Sequence, residues 1–175
     1  MTRTAGSRKH ASRKDVEVLA TLLVAYPQVS RATYDPDKKT LGMAFLCRGP
    51  LGRSKRESLT RLYLDSVDVY GSLTGQTRSY AKASWERMDK FHVFLVERDV
   101  SSLTPGELSL TVDLVSDRVK LVLASDNEDG LDDREEYSWS ARLFLQEMLD
   151  QVRTLQSSTK LVALREGERV LVFDK

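Results

Sequence analysis

Apolar segments of strand length are joined in this chain by turns too short for a parallel crossover, and that confines them to antiparallel pairing. Asp35-Pro36-Asp37-Lys38 separates the extended segments 29–34 and 40–47, with Pro preset for the second turn position. Glu166-Gly167-Glu168 separates 160–165 from 169–173, with Gly where a tight turn wants it. A parallel connection needs about a dozen residues or more, so each pair must be a hairpin.

Helical periodicity precedes each hairpin. Val16, Leu19, Leu22, Leu23 and Tyr26 recur at helical spacing behind Ser12 and Asp15, a capping-box-like start, and Pro27 stops the run. Trp139, Leu143, Phe144, Met148, Leu149, Val152 and Leu155 predict a second amphipathic helix. Between them, Ser54-Lys55-Arg56-Glu57 matches a capping box. It leads into Leu59, Leu62, Tyr63, Val69, Tyr70 and Leu73, a segment read as helix although its β-branched and aromatic residues also favour strand.

The middle of the chain mixes signals. Residues 80–90 offer a short helix presenting Tyr80, Trp85 and Met88, and 91–96 reads as a buried strand. Leu108, Leu110, Val112 and Leu114 alternate with polar residues, which predicts a strand, although Thr104-Pro105-Gly106-Glu107 resembles a helix start. Residues 119–124 read as another strand. The expected architecture is α+β: about seven mostly antiparallel strands with about three helices on one face, in the order α-ββ-α-βββ-α-ββ.

Length supports one domain, since 175 residues can bury a single sizeable core. Residues 1–12 have no large apolar side chain after Met1 and are expected to form a flexible basic tail, leaving 13–175 as the domain. No apolar run approaches membrane-span length, and the lone Cys47 excludes an internal disulfide. A cytoplasmic protein with no membrane partner is the expectation.

Near-neutral net charge hides a strong asymmetry. Residues 1–61 hold thirteen Lys and Arg against five acids, whereas 126–136 hold seven acids against Arg134. Where strand 40–47 hands over to a helix lies Arg48-Gly49-Pro50-Leu51-Gly52-Arg53-Ser54-Lys55-Arg56. Cations and free helical N–H groups there favour phosphate, although the spacing is neither a P-loop nor a dinucleotide fingerprint. With Lys82 and Arg87, the residues Arg48, Arg53, Lys55 and Arg56 make a candidate polyanion surface, and Tyr80 and Trp85 are candidates for stacking on unpaired bases.

Catalysis finds little support. Asn127, Asp129, Gly130, Asp133 and Glu136 fall at calcium-loop spacing, but Ser125 and Asp132 break that pattern, so no metal and no cofactor is assigned. Cys47 and His92 would form a dyad only on neighbouring strands with matching faces, and they are expected to stay apart. The sequence therefore points to a non-enzymatic binding or adaptor protein contacting nucleic acid or a ribonucleoprotein. The alternative is a protein–protein module or homo-oligomer that pairs basic with acidic surfaces.

Overall fold

The computed structural model describes residues 13–76, 80–123, 131–154, 159–167 and 169–175, with side chains omitted for 131–138. The basic tail and the acidic residues 126–130 lie outside the described residues. Ten elements follow in order: α1 (Arg13–Ala25), β1 (Arg31–Asp35), β2 (Thr40–Cys47), α2 (Arg53–Thr74), β3 (Ala81–Met88), β4 (Phe91–Asp99), α3 (Pro105–Arg118), α4 (Leu131–Thr154), β5 (Leu161–Glu166) and β6 (Arg169–Asp174). The strands form one antiparallel sheet ordered β3-β4-β2-β1-β5-β6. No helix among the described residues is long and apolar enough to cross a membrane.

Register explains why the helices share one face. Phe45 sits opposite Phe94, and Phe94 opposite Trp85, so period-two alternation aligns them on one side with Leu41, Met43 and Val96. Buried residues Val18, Leu19, Leu22 and Leu23 of α1 and Leu59, Tyr63 and Val67 of α2 recur every three or four positions and cover that side. The opposite face carries Arg31, Thr33, Gly42, Ala44, Lys82, Ser84, Leu95 and Glu97, and among the described residues no helix lies over it. At Gly42 the strands approach so closely that a Cβ would lie 2.3 Å from Thr33 Oγ1.

Among the described residues the sheet has six strands rather than about seven, and the helices number four rather than about three. Residues 81–88 are strand, not helix: Ala83 and Trp85 point to the helices while Lys82 and Glu86 point away. A two-residue turn, with Asp89 at φ 53°, returns the chain to β4. Residues 105–118 are helix, not strand. Thr104 caps it by accepting the Glu107 N–H, Pro105 occupies the first turn, and Leu108, Val112 and Val115 make the buried stripe. That start chemistry outweighed the alternation, which leaves Leu110 and Leu114 half-buried. The strand expected at 119–124 is a single bridge, Leu121 to Cys47.

In α4 the helix stands where the periodicity placed it, yet its core-facing stripe is Leu145, Leu149 and Val152. Trp139, Leu143 and Phe144 are instead 62%, 61% and 56% exposed. Two arginines fix α4 in place. Arg142 donates to the Ala25 carbonyl and lies over the Tyr26 ring, while Arg153 donates to the carbonyls of Val100 and Leu103.

A charged cluster with almost no solvent contact ties β4 to α3. Arg98 donates to Glu107 through Nε (2.5 Å) and Nη2 (2.9 Å), and through Nη1 to Asp99 and the Tyr80 carbonyl. Burial pushes the Asp99 carboxyl up, but the hydroxyls of Ser102 and Ser101, the Tyr80 N–H and Arg98 outweigh it and hold the group well below the usual carboxylate range. With the folded value below the unfolded one near 4, this stabilisation is complete above about pH 4 and is lost as pH falls below it. Urea unfolding followed against pH is therefore expected to show an acid limb that Asp99→Asn flattens. An unchanged limb in that variant would refute this role.

Candidate nucleic-acid interface

The loop after β2 leaves the sheet with Gly49 at φ 90°, turns through Pro50, and enters α2 at Gly52. Beside it the β3–β4 hairpin ends in Arg87, Lys90, Phe91 and His92. Together these segments form an open cleft of about 800 Å³. Arg48, Arg87 and Lys90 line it, and among the described residues no acidic side chain does. The Arg48 N–H is held by the Lys120 carbonyl, which anchors the loop to the segment after α3.

The six predicted cations do not all converge. Arg48 and Arg87 share the cleft. Arg53, Lys55 and Arg56 follow Gly52 on the first turn of α2, where no side chain caps the helix. Arg53 is exposed and forms an (i, i+4) pair with Glu57 at 2.6 Å, a contact that water screens heavily. Lys82 points to the uncovered sheet face, in a hollow of about 330 Å³ where Arg31 and Lys175 are mixed with Glu86 and Glu97. Arg31 reaches to within 3.6 Å of Glu86 across that hollow.

Neither aromatic candidate sits in the cleft. The Trp85 indole donates to Thr60 Oγ1 (3.0 Å) and the Arg56 carbonyl (3.2 Å), and its ring packs 4.7 Å from Phe94. Trp85 thus joins β3 to α2 rather than lining the cleft. Tyr80 is 38% exposed but precedes the other end of β3, roughly 23 Å from Arg87 by strand rise. Sequence reasoning missed Lys90, Phe91 and His92. Their alternation of basic and aromatic residues was the available signal, but 91–96 was read wholly as buried strand.

Cys47 and His92 are opposite one another in the β2–β4 register and face the same side, contrary to the expectation that they stay apart. They do not make a reactive dyad. Burial raises the Cys47 thiol to about 11, with a partial offset from the Phe94 backbone, and its Sγ is occupied by the Phe45 carbonyl. The thiolate that nucleophilic chemistry requires is scarce at neutral pH. No group of three or more His, Cys, Asp or Glu among the described residues is placed to hold a metal ion.

Comparison of the chain with protein-family models, with curated proteins and with solved structures gives no match.

Proposed function

We propose that this chain is a non-enzymatic binding or adaptor protein that contacts a polyanion, RNA, DNA or a ribonucleoprotein, through the basic cleft between the β2–α2 loop and the β3–β4 hairpin. The observation that carries the reading is the lining itself: Arg48, Arg87 and Lys90 share one concave surface with no carboxylate among its described residues. Three cations in one cleft displace the counterions condensed on a phosphate backbone. Arg53, Lys55 and Arg56 extend the basic surface along α2 as backbone contacts that position the ligand without reading sequence. Lys82 lies outside this surface, on the opposite face of the sheet.

The test is the salt dependence of binding to a labelled oligonucleotide. Replacing Arg48, Arg87 and Lys90 together with Gln is expected to weaken binding at least tenfold. It should also flatten the log–log salt slope by about 2, at roughly 0.7 per cation for a single strand. Wild-type protein that ignores both nucleic acid and heparin at low salt would overturn the reading.

A second reading, a protein–protein module or homo-oligomer, is favoured by one observation: Trp139, Leu143 and Phe144 expose a large apolar area on α4. Concentration-dependent oligomers that persist after nuclease treatment, in a protein without nucleic-acid affinity, would favour it.

A further inference from the structure

We infer that the cleft takes a single-stranded nucleic acid, seating one unpaired base against Phe91 while Arg48, Arg87 and Lys90 hold the flanking phosphates; this rests on the polyanion reading above and narrows it. Phosphate contacts alone do not distinguish a duplex from a single strand. The shape and lining of this cleft do.

A volume of about 800 Å³ lies within the range of pockets that enclose small molecules. A duplex presents a convex backbone and grooves, and its bases are stacked out of reach. Only a base that has left its pair can enter a pocket of this kind. The walls suit such a base. Phe91, partly exposed at the start of β4, is among the residues lining the cleft, and Lys90 Nζ sits over its ring 5.5 Å from the centroid. An aromatic face next to a cation is the combination that binds a base and its phosphate together.

Two further features fit the same occupant. His92 lines the cleft beside Phe91, and among the described residues its buried Nδ1 has no hydrogen-bond partner. Gly52 has an ordinary φ of −61°, and a Cβ built there meets nothing within 4 Å. Neither strain nor internal packing calls for glycine at that position. Its missing side chain keeps the mouth of the cleft open beside Arg48.

The test compares a fluorescein-labelled single-stranded oligonucleotide with its duplex by anisotropy at fixed salt, in wild-type protein and in Phe91→Leu and Phe91→Tyr. Circular dichroism checks that both variants fold. The single strand is expected to bind at least tenfold more tightly than the duplex. Phe91→Leu, which keeps apolar bulk but removes the aromatic face, should weaken the single strand about tenfold and leave the duplex unchanged, while Phe91→Tyr restores binding. If the duplex binds as well as the single strand, or if Phe91→Leu changes neither, the single-strand assignment fails and the polyanion reading stands. If no nucleic acid binds at all, both fail. If Phe91→Leu does not fold, the wild-type preference together with Phe91→Tyr decides the strandedness, and Gly52→Val, which narrows the mouth, should weaken the single strand selectively.

Discussion

Replacing Glu107 with Ala is expected to lower the unfolding free energy by about 3–5 kcal/mol, the range for breaking a buried ion pair from one side. Arg98, Asp99 and Glu107 are 2%, 5% and 3% exposed. Removing Glu107 takes away the bidentate acceptor of Arg98 and leaves a buried guanidinium with one carboxylate. The charge cannot be shed, because arginine stays protonated. The same cluster joins the β3 entry, through the Tyr80 carbonyl, to the first turn of α3, so the loss reaches both the sheet and the helix layer. Urea denaturation measures the change. A triple variant, Arg98→Met and Glu107→Leu with Asp99→Asn, should recover most of the stability, since replacing the whole charged cluster leaves no unpaired buried charge and avoids the desolvation cost. A loss below about 1 kcal/mol in Glu107→Ala would show that the cluster is dispensable.

Asp15→Leu is expected to act in the opposite direction and stabilise the protein by about 1–3 kcal/mol. Asp15 is fully buried on α1, and among the described residues neither carboxylate oxygen has a hydrogen-bond partner. Its position in the first turn returns about 0.3–1 kcal/mol through the helix dipole, less than the hydration it gives up. The contrast with Asp99 decides the sign. Asp99 is comparably buried but accepts from Ser101, Ser102 and the Tyr80 N–H, so the cost of burying it is met. A melting temperature several degrees higher in Asp15→Leu is the expected readout. An unchanged or lower value would mean that Asp15 holds a specific contact in place.

Turn chemistry was the most readable part of this sequence. Asp35-Pro36-Asp37-Lys38 and Gly167 gave the first and last hairpins along the chain, because the type of connection is a local property. The errors fall where two local signals disagree. At 104–118 a capped helix start competed with a period-two pattern, and the cap prevailed once Leu108, Val112 and Val115 had a core to face. At 80–90 the segment is poor in apolar residues because β3 is an edge strand with one wet face, so periodicity carried little information there. For the cleft, Arg48 was legible because it sits in a glycine-rich loop next to a helix start. Arg87, Lys90 and Phe91 meet it only because β4 pairs with β2, a contact between residues more than forty positions apart. Trp85 shows the converse, as an aromatic among cations whose fate was fixed by a helix hydroxyl from Thr60.

The strand order carries a consequence for synthesis. β1 lies between β2 and β5, so a growing polypeptide can close its first hairpin early, yet one side of β1 has no neighbour until residues 161–166 have been made. Ala32 and Tyr34, both buried in the finished fold, wait beside a bare edge through the intervening length of chain. That interval is when a nascent copy of this protein is most open to pairing with a neighbour on the same messenger.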